Sequence, residues 1–127
     1  MKNVLLLFTI ICLLSSGLFS QQTDLSTDSK NLAKQKIQEI KNRLDKGENF
    51  SNLALLYSDD SNTASNGGCH DSLKRGFFLP AFDAVAFNLK PGELSSIFET
   101  IFGYEIVLCR AKRGEEIDVC HILIRPK

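Results

Sequence analysis

The 127-residue sequence predicts an α+β domain, and three observations carry the prediction. Apolar positions recur at helical spacing in the first half of the chain. β-Branched runs fill its last third. Only Ala111 to Glu116, with Gly114 among them, joins the last two of those runs, and so short a connection forces an antiparallel pair. Lys+Arg and Asp+Glu both number 15, so no basic patch for nucleic acid is announced and a polybasic membrane-surface protein finds no support. At 43% hydrophobic and 24% charged residues, long disorder and collagen-like repeats are excluded. Four cysteines are too few to build a disulfide miniprotein, so a hydrophobic core must carry the stability.

Residues 1–20 read as a secretory signal peptide. Lys2 supplies the positive start, Val4 to Leu14 the apolar run, and Ser20-Gln21-Gln22 the cleavage point. At ~1.5 Å per residue the run falls well short of a ~30 Å bilayer core. Extending it to Phe19 takes in Ser15, Ser16 and Gly17; an uncleaved anchor is the alternative. Cys12 follows Thr9-Ile10-Ile11 and lacks the small residue that lipoprotein processing wants. Residues 21–30 are polar and aperiodic, a flexible lead-in, and the domain proper spans 31–127.

From Asn31 a first helix shows one stripe, Ala33, Ile37, Ile40 and Leu44, and Lys46-Gly47 stops it. Phe50, Leu53, Ala54 and Tyr57 mark a second, shorter helix. Ser58 to Gly68 is a polar loop with room for one helical turn, the kind of long loop that often carries function. Pro80 suits the first position of a third helix, with Phe82, Val85, Ala86 and Leu89 buried and Lys90-Pro91-Gly92 as its stop. Strands follow at Ser96–Thr100, Tyr104–Arg110 and Ile117–Ile124.

A set of short motifs runs along the chain in a fixed order. Gly47-Glu48-Asn49-Phe50, Leu53-Ala54 and Tyr57-Ser58-Asp59-Asp60 open it. Gly67-Gly68, Arg75-Gly76, Pro80-Ala81-Phe82 and the stretch from Ala86 to Ser95 continue it. Glu99-Thr100, Phe102-Gly103-Tyr104 and His121-Ile122-Leu123-Ile124 complete it. The ordered set resembles the parvulin-type peptidyl-prolyl isomerases. The resemblance implies a small antiparallel sheet flanked by helices. One feature departs: the family's opening His-Ile-Leu strand stands here at the C-terminus. Either a hairpin returns it to its usual slot, as in a circular permutant, or it opens a second parvulin unit and is idle or donated to another molecule. Unpaired edge groups in an unfilled central slot argue for the first.

The implied activity is cis–trans isomerisation of X–Pro bonds, with no cofactor. By resemblance Phe78 and Phe82 wall a proline pocket, His121 and Asp60 form its polar floor, and Phe102 lines it. Glu105 replaces the usual second strand histidine, where it would raise the His121 pKa and join the catalytic set. His70-Asp71 replaces Leu-Gly and puts an imidazole near the pocket. These changes put turnover in doubt more than peptide binding. Taken alone, His121 reads as a core strand histidine, Asp60 as an Asx turn, and the two phenylalanines as core packing. A metal is not expected: Asp59, Asp60, Cys69, His70 and Asp71 gather locally, but Cys69 and His70 are adjacent, and no CxxC or HxxxH spacing occurs. The expected partners are proline-containing unfolded or nascent polypeptides, exported to a bacterial periplasm or envelope, with no nucleic acid and no membrane span after signal removal. A non-catalytic peptide-binding module and a fragment of a tandem-parvulin protein are the alternatives.

Signal removal leaves Cys69, Cys109 and Cys120, so at least one is unpaired within the chain. A two-residue turn at Gly114-Glu115 would set Cys109 opposite Cys120 and tempt a disulfide. The same register would throw Glu105 and His121 onto opposite faces. A shared site therefore requires the other register, an odd-length loop, and no bridge between Cys109 and Cys120.

Overall fold

The computed structural model describes residues 24–127; the expected signal peptide and residues 21–23 lie outside the described residues. The chain forms α1 (Asp24–Asp45), α2 (Phe50–Tyr57), a 3-10 turn (Ala64–Asn66), β1 (Cys69–Leu73), α3 (Pro80–Ala86), β2 (Phe98–Thr100), β3 (Gly103–Arg113) and β4 (Glu116–Ile124). It is an α+β fold of the expected parvulin-like kind. The four strands make one antiparallel sheet in the order β1-β4-β3-β2, with β4 inside it, paired on both sides.

Helix signals act where the sequence puts them. Asn49 caps α2 by accepting from the Asn52 N–H, and Pro80 opens α3 where its missing N–H costs nothing. α1 departs from expectation by beginning at Asp24, so residues 24–30 are helical rather than a flexible lead-in. This turn buries nothing, and Leu25 and Leu32 are exposed, which is why no apolar stripe announces it. It extends an established helix, where each residue adds a hydrogen bond without a new nucleus, and Asp24 suits the N-terminal dipole.

β1 was not expected either. Cys-His-Asp-Ser-Leu has little strand preference; its pairing with β4, Cys69 against Cys120 and His70 against Val119, makes it a strand. Its bulge falls before Leu73, where Ser72 takes the left-handed φ of 54° and its N–H is held by Asp118 Oδ1 at 2.8 Å.

The hairpin between β3 and β4 corrects one expectation and keeps another. Its loop is the two-residue Gly114-Glu115 turn, with Gly114 at φ +60°, not an odd-length loop. A bulge between Cys109 and Ala111 then slips the register by one, so that farther along Val107 faces His121 and Cys109 faces Val119. The bulge does what the odd loop was expected to do.

Cys120 bonds to Cys69 across the β1–β4 pair, and among the described residues Cys109 is buried and free. The sheet separates two cores. Ile106, Cys120, Ile122 and Ile124 pack against Ala33, Ile37, Ile40, Phe50 and Leu53 of α1 and α2. On the other face Val107, Cys109, Ile117 and Val119 pack against Phe82 and Ala86 of α3 and against Leu89. Glu105 and His121 alternate onto this second face, beyond the apolar patch. Among the described residues no helix is long and apolar enough to cross a membrane.

Candidate active site

Three segments meet at His121. β4 delivers the ring from the sheet, β3 brings Glu105, and the loop after α2 runs beside the free stretch of β4. That loop is stitched to the strand: the Asp59 N–H donates to Leu123 O at 2.7 Å and the His121 N–H to Gly68 O at 2.8 Å. Gly68 sits at φ +81°, and a Cβ there would collide with the His121 carbonyl oxygen. Close approach of loop and strand therefore requires glycine.

The stitching places Asp60 Oδ2 2.7 Å from His121 Nε2, while Glu105 Oε1 lies 2.9 Å from His121 Nδ1. Asp60 does two jobs, one per oxygen. Its Oδ1 accepts from the Asn62 N–H in an Asx turn, the structural reading its sequence context allowed, and its Oδ2 reaches the histidine. Thr63, not singled out from sequence, donates to the same Oδ2 at 2.7 Å and lies 3.3 Å from His121 Nε2. The Asp-x-x-Thr spacing is the signal that could have found it, since a polar side chain three residues on returns to the turn.

Carboxylates only accept, so between Asp60 and Glu105 both ring nitrogens of His121 donate, which is the imidazolium form. Burial opposes that charge, but the hydrogen bond and charge of Glu105, then those of Asp60, outweigh it and hold the His121 pKa above its ordinary value. Asp60 is itself partly desolvated, yet the bonds from Thr63 and His121 keep its carboxyl below the usual range. His70 moves the other way. Burial and the neighbouring His121 charge lower its pKa, against smaller opposing effects of Asp60 and Asp71.

Above this floor an aromatic wall rises. Phe78 packs between His70 and Phe82, with ring centroids 4.8 and 4.7 Å away, and the Phe82 ring stands perpendicular to His121 at 5.6 Å. The Asp83 carboxylate accepts the Gly76 N–H at 2.8 Å and ties the loop bearing Phe77 and Phe78 to α3. Together Asp60, His70, Phe78, Phe82, Phe102, Glu105 and His121 line one cavity of about 390 Å³. The sequence reading missed Asn62, Phe77, Leu79, Leu123 and Arg125, which also line it. Phe82 is only 2% exposed and belongs to the second core, so it is wall and core together. The Arg125 guanidinium lies over the Phe102 ring at 5.6 Å and forms the cationic edge of the mouth. One ring nitrogen each from His70 and His121 and an oxygen of Asp60 lie within 4.8 Å of one another, so this trio, rather than the local run around Cys69, could hold a metal.

An aromatic wall thus stands over a polar floor in one cavity. The family model for the rotamase, or PPIC-type PPIase, domain matches residues 18–111. The chain belongs to the PPIC-type peptidyl-prolyl isomerase family. The match takes in every lining residue predicted from sequence except His121, which stands beyond it on β4. Among curated relatives, the foldase protein PrsA of Geobacillus kaustophilus is 45% identical over 69 residues, 54% of this chain and 25% of that protein. PrsA of Bacillus subtilis is 36% identical over 86 residues, 68% of this chain and 30% of its own length. The chaperone SurA of Hahella chejuensis is 35% identical over 85 residues, 67% of this chain and 20% of its own length. The chain thus spans under a third of the length of these relatives.

Proposed function

We propose that this domain binds proline-containing segments of unfolded, exported polypeptides and speeds cis–trans exchange of their X–Pro bonds. One observation carries the reading: the cavity joins an aromatic wall to a buried histidine held by two carboxylates. The ~20 kcal/mol barrier comes from amide resonance, so no covalent step is needed. Phe78, Phe82, His70 and Phe102 grip the prolyl ring and strip it of water. His121, Asp60 and Glu105 supply a preorganised polar floor that favours the twisted amide over the planar one. The foldase and chaperone names of the relatives support a folding role, and the signal-like residues 1–20 support export to a bacterial envelope. In this reading β4 takes the slot of the family's opening strand, a permuted order supported by its position between β1 and β3.

A second reading is favoured by His121 itself. Both ring nitrogens are already engaged by carboxylates, and a ring so satisfied suits a peptide-binding module without turnover. Proline exchange measured on a panel of X–Pro peptides separates the two. Exchange well above the uncatalysed rate supports the isomerase; bound peptide exchanging at the uncatalysed rate leaves the binding module.

A further inference from the structure

We propose that Asp60, His70 and His121 form a three-ligand site for a divalent transition-metal ion of the zinc type, in the floor of the cavity. Three donors from three separate segments converge here, one atom from each lying within 4.8 Å of the others. Two imidazoles and one carboxylate, with the remaining position open, is the donor set of zinc sites that keep an exchangeable ligand. Oxygen-seeking Mg²⁺ and Ca²⁺ are poorly served by it.

Two observations independent of the clustering point the same way. The first is what stands behind the donors. Glu105 fixes Nδ1 of His121 at 2.9 Å and so aims Nε2 into the site, the carboxylate–histidine arrangement that orients metal-bound imidazoles. Thr63 likewise fixes the Asp60 oxygen at 2.7 Å. The second is an orphan. Nε2 of His70 is buried and, among the described residues, has no hydrogen-bond partner. A buried ring nitrogen left unpaired is costly, and coordination would satisfy it.

The frame is rigid as well. Each histidine follows or adjoins a bridged cysteine: His70 is next to Cys69, His121 next to Cys120, and the disulfide locks the two strands in register. The charges of Asp60 and Glu105 balance a divalent ion. Binding would release the proton of His121 Nε2 to solvent and replace the Asp60–His121 hydrogen bond, inside the cavity that Phe78 and Phe82 also line. On the reading that this cavity takes prolyl peptides, ion and peptide then compete.

The test is calorimetric titration of the full chain, freed of metal by chelation, with Zn²⁺, together with Co²⁺ absorption spectra. The expected result is one equivalent per chain and the intense visible bands of four-coordinate Co²⁺. Glu105→Gln should weaken binding about 10–100-fold, and His70→Leu should weaken it further. Circular dichroism checks that His70→Leu folds; Asp60→Asn provides the same loss if it does not. Zinc binding unchanged by His70→Leu and Asp60→Asn, or no saturable binding at all, overturns the site. Retained peptide binding at saturating Zn²⁺ overturns the competition. Heat and colour report the ion without turnover, so a chain that binds zinc but never accelerates proline exchange keeps this site and loses the isomerase reading.

Discussion

Glu105 and His121 touch across β3 and β4, Oε1 to Nδ1 at 2.9 Å, although neither is the other's register partner: Leu123 faces Glu105 and Val107 faces His121. The contact is diagonal, on one face, and both side chains are buried. Removing Glu105 strips the His121 Nδ1–H of its acceptor and leaves Asp60 alone to balance the ring's charge. Glu105→Ala should therefore cost about 1–3 kcal/mol of stability, the penalty of a buried donor left unpaired. Glu105→Gln, whose amide oxygen can still accept from Nδ1, should cost clearly less. Urea denaturation of the two variants checks the ranking, and equal losses would show that shape rather than charge matters here.

The aromatic wall separates binding from stability. Phe82 is 2% exposed and shared with the core, so Phe82→Ala should lose about 3–5 kcal/mol together with peptide affinity. Phe78 is half-buried and leans on the cavity, so Phe78→Ala should lose under about 2 kcal/mol while weakening proline-peptide binding as strongly. Paired melting and peptide titrations decide it. Retained affinity in Phe78→Ala would move the proline pocket elsewhere.

Gly68 tests how closely loop and strand must approach. Gly68→Ala combines a left-handed φ with a collision against the His121 carbonyl and should cost about 2–4 kcal/mol. Gly76→Ala, at φ +89° with open space around it, should cost only about 1 kcal/mol. If the two variants melt alike, the collision is relieved by a loop movement and Asp60 is less tightly placed than its 2.7 Å contact indicates.

What the sequence discloses follows from where the determining forces lie. Pro80 at the start of α3, the stripes of α1 and α2, and the β-branched runs are local signals acting on local backbone. The face-sharing of Glu105 and His121 was also legible, because alternation along a strand leaves only two registers and the family resemblance requires the one that puts both on one face. The device that achieves it was not, since a bulge near Arg110 has no strong signature of its own. β1 was hidden for a related reason: His70, Asp71 and Ser72 become strand only because β4 offers them partners. The meeting of His70 with His121 depends on that pairing, so a metal trio spread from Asp60 to His121 could not be read from spacing.

The disulfide gives the next test. Peptide mapping of the unreduced, alkylated protein should show Cys69 linked to Cys120 and no link from Cys109. The bridge closes a separation of 51 residues, which corresponds to about 4 kcal/mol of unfolded-state entropy in the chain-entropy model. Dithiothreitol should lower the urea midpoint accordingly. A Cys109–Cys120 peptide would mean the hairpin keeps its tip register to the end, and Glu105 and His121 would then face apart.

The last prediction concerns pH and the hairpin tip. Asp118 accepts from the two terminal guanidinium nitrogens of Arg113 and from the Ser72 N–H, so it joins the turn to the bulge of β1. The bond from Arg113, then that from Ser72, brings its carboxyl down to about 2 from an ordinary 3.8. A folded-state pKa below the unfolded one means stability that is present above about pH 4 and lost as pH falls through about 2. Wild type should therefore melt above Asp118→Asn at neutral pH, with the gap closing between about pH 4 and 2. Comparing the two proteins at each pH cancels the titration of the other carboxylates. The pair is exposed enough for salt to screen it, so added salt should narrow the gap at pH 7. A gap that persists at pH 2 would place the cost of the variant in the Ser72 bulge geometry rather than in the charge of Asp118.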